Sequence, residues 1–308
     1  MRTPTRTRLA ARVTLAAVVA GSAVMGCAAL KKVPGLGAII SANEDLTPEN
    51  EYYVGRSVAT NIMAKYNYAY LDKEAILAGR LEGLTEYVSR VGNILAAKAI
   101  EVPRKGDRPT PIAGFHFLVL DAPDEINAFA APGGFILVTS GAVKLAKTED
   151  ELAAILAHEI GHVVRGHALG TIKSARFAGL TKSALDTVKV EGQDGQQTKL
   201  TEAFGGSMDD MITGMTVKGY SQESEFDADK VGINLMLRAG YDPAAFVRYL
   251  EAMQKNESTK SGGGFYSTHP KAGTRISKLQ GHVKKMGARK VVQARTDRFL
   301  AATATLRQ

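Results

Sequence analysis

Two kinds of hydrophobic pattern alternate along this chain. Thr47 followed by Pro48 is an N-cap with proline in the first helical turn, and it predicts a helix over 48–66. A second helix is predicted over 73–97. Phe115–Leu120 is a short apolar run with β-branched and aromatic residues, which reads as a strand. Asn127 to Val138 reads as strand, turn and strand, with Pro132-Gly133-Gly134 as the turn and Phe135–Thr139 as the second strand. From Thr148 the period returns to that of a helix, running to about His167. Glu149, Asp150 and Glu151 complement the dipole of its first turn. Leu152, Ala153, Ile155, Leu156 and Ala157 make most of that helix apolar, so it is expected to be buried. Ser221 opens a further helix with an inward face of Phe226, Val231, Ile233, Leu235 and Met236. Segments 191–197 and 256–264 are polar, Gly-containing loops. The expected architecture is α+β, mainly helical, in one domain.

The buried helix contains His158-Glu159-Ile160-Gly161-His162. Histidines at i and i+4 share one helix face and can bind one ion, while Glu159 reaches a water on that ion without being a ligand. Two histidines on an apolar helix are costly unless a metal or a partner satisfies them. A catalytic zinc takes three protein ligands and an open position, so a third ligand is expected. The metzincin spacing is absent, because Arg165 and Ala168 stand where glycine and histidine would be required. His167 is one position off and reads better as a polar residue meeting the last carbonyls of the helix. Glu225 and Asp229 are i, i+4 on the Ser221 helix. One of them can bind the metal while the other orients a histidine. They also fit an acidic first turn, as Glu223 and Asp227 do.

Composition changes the picture at the N-terminus. The 308 residues carry 39 basic and 31 acidic side chains, a net +8. Arg2, Arg6, Arg8 and Arg12 precede an uncharged run, Val13–Met25, too short to span a bilayer and suited to a secretory signal. Val24-Met25-Gly26-Cys27 resembles the lipobox of bacterial lipoproteins, in which the cysteine is acylated. Cys27 is the single cysteine, which excludes an internal disulfide and a cysteine-rich zinc finger. Loss of 1–26 removes four arginines and no acid, so half of the +8 reports export. No basic face stands out before the tail, and the charge argues against a nucleic-acid partner. The expected organisation is a signal peptide 1–26, a lipidated tether 27–45, a folded body 46–283 and a basic C-terminal tail 284–308. Ala28 after the cysteine, in place of aspartate, favours the outer membrane facing the periplasm.

Four segments in order carry a stronger resemblance: Asn127-Ala-Phe with Pro132-Gly-Gly-Phe-Ile-Leu-Val and Gly141; Glu151 to His162; Ser221 with Glu225 and Ala228-Asp229; and Ser267-Thr-His269-Pro with Arg275-Ile276. Together they resemble the M48 family of zinc metallopeptidases. Gln222 departs from the family pattern, where arginine is frequent. The resemblance implies a zincin-like catalytic domain with one zinc ion, Glu225 as third ligand beside His158 and His162, Asp229 behind them, and His269 facing the metal. It implies Glu159 as general base and His269 or Tyr266 as donor to the oxyanion, with His269 able alternatively to occupy the open zinc position at rest. Arg275 would fix a nearby carboxylate or bind substrate backbone. The strand Phe135, Ile136, Leu137, Val138 would be the edge of a small sheet beside the metal helix, where extended polypeptides pair by strand addition. The expected activity is zinc-dependent endoproteolysis of misfolded or stalled envelope proteins. The alternative is a chaperone or assembly factor with a latched or structural zinc. The oligomeric state is not indicated.

Overall fold

The computed structural model describes residues 46–65, 82–101, 108–172, 213, 219–257, 269, 272–287, 289–290 and 292–307. All of them belong to one compact unit, 46–175 with 204–308. The lipobox, the tether, the loop 191–197 and Tyr266 lie outside the described residues, as do 258–264 of the second loop and 73–81 of the second helix.

Helix α1 spans Pro48–Lys65. Its first turn is held by Thr47, whose Oγ1 accepts from Asn50 N at 3.3 Å and whose carbonyl accepts from Glu51 N. Helix α2, Glu82–Glu101, buries Leu84, Tyr87, Val88, Val91 and Leu95, a stripe at helical spacing that packs on the central helix Glu149–Arg165. Three strands follow: β1 (His116–Leu120), β2 (Ala128–Ala131) and, after the Pro132–Gly134 turn, β3 (Phe135–Thr139). Their order is β1-β3-β2, with β1 parallel and β2 antiparallel to β3.

The Phe135–Val138 strand is therefore the middle of the sheet and not its edge. Ile136 and Val138 enter the main core, while Phe135 and Leu137 enter a second cluster with Val58 and Ile62 of α1. An unbroken apolar run is what a strand covered on both faces requires, and here both of its edges are paired as well. An edge strand does flank the metal helix, but it is Ala128–Ala131. Thr139 N donates to Asn127 O at 3.0 Å. In this antiparallel register Phe129 and Ala131 then bond to β3, so Ala128 and Ala130 turn their N–H and C=O groups away from it, where Asn127 Oδ1 accepts from Ala128 N at 2.9 Å and the Tyr220 hydroxyl donates to the Ala130 carbonyl at 3.3 Å.

After a short helix α3, Ser140–Leu145, comes α4, Glu149–Arg165. Thr148 caps α4 by accepting from Glu151 N, and Gly166 in the left-handed conformation ends it. Fourteen of its 17 residues are buried, so this helix is the hub on which the others pack. Helix α5, Gln222–Arg238, is capped by Ser221 and lies along α4. A Cβ on Gly161 would stand 2.8 Å from the Ala228 carbonyl oxygen, and one on Gly232 3.1 Å from His158 N. The two helices approach to backbone contact because these positions carry no side chain.

Helices α6 (Ala244–Glu257), α7 (Ala272–Met286) and α8 (Gln293–Ala302) complete the body. The described residues of the basic segment 284–308 include α8, which packs on the body. Phe299 is fully buried, Arg298 forms a two-armed ion pair with Glu149, and Arg295 donates to the Gly240 carbonyl at 2.9 Å. Glu149, buried in the first turn of α4, also accepts from the hydroxyls of Tyr87 at 2.8 Å and Tyr241 at 3.0 Å. Basic side chains of α8 are thus matched to acids at the start of α4. Among the described residues no helix is long and apolar enough to cross a membrane.

Candidate metal centre

The i, i+4 spacing on α4 brings the Nε2 atoms of His158 and His162 to 3.0 Å from each other. Glu225 of α5 meets them, with Oε2 3.4 Å from His158 Nε2 and Oε1 3.3 Å from His162 Nε2. The glycine contacts between α4 and α5 make this reach possible for a side chain as short as glutamate. His269, just before α7, adds a fourth nitrogen: its Nδ1 lies 2.8 Å from Glu225 Oε1 and 3.4 Å from His158 Nε2. All four residues are buried, and their ligand atoms lie within 4.8 Å of one another.

The donor set fits a zinc ion. Ligands at zinc distances in a tetrahedron are roughly 3.3 Å apart, close to the separations among His158, His162 and Glu225. Two imidazoles and a carboxylate are a usual set for such a site.

A second layer orients the first. His158 Nδ1 lies 2.9 Å from Asp229 Oδ1, which leaves Nε2 to face the cluster. Arg275 donates through Nε to Asp229 Oδ2 at 2.9 Å and has a further nitrogen 3.3 Å from Glu225 Oε2. Burial and the Arg275 charge both disfavour protonation of His158, but its contacts with Asp229 and Glu225 outweigh them and raise it to about 9. Burial holds His162 well below the usual histidine range, so it is neutral and ready to donate a lone pair. Glu225 stays ionised, because the three surrounding histidines overcome the cost of burying its carboxylate.

Glu159 is fully buried, and neither carboxylate oxygen has a hydrogen-bond partner among the described residues. His269 Nε2 is 3.9 Å from its Oε1. Burial pushes the Glu159 carboxyl up. A buried carboxyl with open acceptor sites, beside a cluster that could hold a metal ion, is the arrangement a general base requires.

Residues 84–283 match the model of Peptidase family M48. The chain belongs to this family. Among its M48 relatives are the Beta-barrel assembly-enhancing proteases of Escherichia coli (strain K12) and Yersinia pestis. The first is 31% identical over 229 residues, covering 72% of this chain and 43% of that protein. The second is 30% identical over 208 residues, covering 66% of this chain and 40% of that protein. The Mitochondrial metalloendopeptidase OMA1 of Schizosaccharomyces pombe is 33% identical over 159 residues, covering 50% of this chain and 42% of that protein. The chain thus spans less than half the length of these relatives.

The structure brings His158, Glu159, His162, Glu225, Asp229 and His269 together. Of the two roles expected of Arg275, the structure favours fixing a nearby carboxylate over binding substrate, since it is 1% exposed and its guanidinium is engaged with Asp229 and Glu225. Of two further neighbours, Tyr220 went unread in the sequence and His167 takes a different contact from the one expected. Tyr220 stacks on His162 with ring centroids 4.2 Å apart, and its hydroxyl donates to the Ala130 carbonyl of β2 at 3.3 Å. The signal was present, because the residue before an N-cap packs toward the fourth helical position, here Glu225. His167 does not cap carbonyls; its Nδ1 faces His162 Nδ1 at 2.9 Å.

Proposed function

We propose that this M48 chain is a zinc endopeptidase that cleaves extended stretches of misfolded or stalled polypeptides during envelope protein assembly. The observation that carries this reading is the convergence of His158, His162 and Glu225 beside the carboxyl of Glu159, whose oxygens have no hydrogen-bond partner among the described residues. Those three residues would hold the zinc, which supplies Lewis acidity toward a water and the scissile carbonyl. Glu159 takes the proton from the attacking water and passes it to the leaving amine. Asp229 and Arg275 keep His158 in the tautomer that presents Nε2. The supporting test is cleavage of denatured casein or an unfolded outer-membrane protein by the purified full-length chain. Loss of cleavage on chelation and return with zinc is expected; cleavage indifferent to chelation would count against the metal reading.

The edge of β2 supports extended peptides as the substrate class. Main-chain pairing through the Ala130 N–H and the Ala128 carbonyl, the outward groups not taken by Asn127 and Tyr220, reads little sequence, which suits unfolded clients of many kinds. Ala130→Pro removes an outward N–H while sparing the ladder to β3. Loss of one hydrogen bond of about 1 kcal/mol raises KM for a peptide roughly fivefold, with kcat little changed. A KM equal to that of the wild type would place the substrate elsewhere.

His269 bears on regulation. Four donors complete a tetrahedral zinc site, whereas a catalytic site keeps one position open. The approach of His269 Nδ1 to Glu225 and His158 therefore supports a latched resting state over a purely catalytic role. His269→Ala is expected to raise cleavage of an unfolded protein and to weaken zinc retention in a chelator competition. A fall in cleavage would assign this imidazole to the oxyanion. The latched arrangement also keeps a second reading open, in which the chain binds clients as an assembly factor. That reading predicts client binding that survives Glu159→Gln, with no turnover in His269→Ala.

The relatives named for β-barrel assembly, the Arg-rich apolar start and Cys27 support attachment to the envelope through a lipid, facing the periplasm.

A further inference from the structure

His162 and His167 meet nitrogen to nitrogen, and only one arrangement of their protons is compatible with metal binding. His162 turns Nε2 to the cluster, 3.0 Å from His158 Nε2 and 3.3 Å from Glu225 Oε1. If Nε2 is to offer its lone pair, the proton of the neutral ring must sit on Nδ1. That N–H points at His167 Nδ1, 2.9 Å away. His167 must then accept through Nδ1 and carry its own proton on Nε2. Its Nε2 lies 3.8 Å from Asp227 Oδ2, so the acid at the far side favours a proton there. In the reverse arrangement His167 would donate, His162 would hold a proton on Nε2, and the ligand nitrogen would be blocked.

The local fold explains how a residue five positions on comes back to the ligand. Gly166 takes a φ of 67°, and its N–H bonds to the His162 and Val163 carbonyls, which closes α4 and turns the chain. The helical turn 167–172 then starts with His167 folded against the preceding turn. Tyr220 covers one face of the His162 ring at 4.2 Å, so the ring is held in plane as well as in tautomer.

We infer that His167 is a positioning residue for zinc: by accepting from His162 Nδ1 it fixes the tautomer that makes Nε2 a ligand. It is the counterpart of Asp229, which does the same for His158 with a carboxylate. The pair of ligand histidines is thus held unequally, one by an anion and one by a neutral ring. This rests on the reading of His162 as a ligand.

Zinc affinity, measured by chelator competition on the purified full-length chain, tests it. His167→Ala is expected to weaken zinc binding about 10–100-fold, as for other partners of metal-bound histidines. His167→Gln, whose carbonyl oxygen can accept the same N–H, is expected to recover most of that loss. Thermal melting of the chelator-treated proteins shows whether Ala has merely loosened the fold. An affinity unchanged in Ala, or a Gln variant as weak as Ala, overturns the assignment while leaving the zinc site itself standing. A wild type that binds no zinc overturns both. If Ala does not fold, nitrogen-15 NMR of the zinc-loaded wild type decides. Protons on His162 Nδ1 and His167 Nε2 support the assignment, and a proton on His167 Nδ1 overturns it.

Discussion

Glu159→Gln lowers kcat on an unfolded polypeptide by about 10²–10⁴-fold, the contribution of a positioned general base. The substitution keeps the shape and removes only the ability to accept a proton. Neither oxygen of this carboxyl has a hydrogen-bond partner among the described residues, so no hydrogen bond among them is lost with the charge, only the 3.9 Å approach of His269 Nε2. It is not among the ligand atoms of the cluster, so zinc content should equal that of the wild type. Burying a neutral amide costs less than burying a carboxylate, and the variant should melt at or above the wild-type temperature. The measurement is single-turnover cleavage of a denatured protein alongside metal analysis. Residual activity near the wild-type level, with zinc bound, would remove Glu159 from the chemistry.

Arg275→Met is expected to be the most destabilising single change in the site. The side chain is 1% exposed and lies between two buried carboxylates, Asp229 and Glu225. Methionine fills much of the volume but leaves both anions without their cation. Breaking a buried pair from one side costs about 3–5 kcal/mol. For a body of this size that corresponds to a fall in Tm of roughly 6–20 °C. Bound zinc supplies positive charge at Glu225, so the fall should be larger in chelator-treated protein than in the zinc-loaded form. Calorimetry of both forms measures the difference. Equal and small shifts in the two would show that the guanidinium does not balance these carboxylates.

The metal helix was legible because its chemistry is local. Thr148, the acidic first turn, the apolar body and the two histidines one turn apart all lie within one stretch of helix. Glu225 was half legible: the spacing to Asp229 put both on one face, but its assignment as a ligand came from resemblance. The middle strand was misjudged for an identifiable reason. Four consecutive apolar residues give no sign of which strand lies beside them, and the parallel partner β1 is recruited from before the hairpin. Helices α6 to α8 were not drawn from the pattern at all. Two of the basic residues that made 284–308 look like a tail, Arg298 and Arg295, are matched to Glu149 and Asp150, and only the packing reveals it.

The sequence by itself determined the relative places of His158, Glu159 and His162, since helix geometry sets two histidines one turn apart on one face with the glutamate beside the first. It also determined the strands, the caps and the apolar positions of the core. The tertiary structure alone decided how the site is finished. Gly161 and Gly232 let α5 close on α4 and bring in Glu225; Arg275 turns inward to the carboxylates; His269 sits in the same cluster as His158, His162 and Glu225; Tyr220 and His167 meet the second histidine; and β2, not β3, lies at the edge of the sheet. These depend on distances between segments remote in the chain, which hydrophobic period and residue type do not encode one segment at a time.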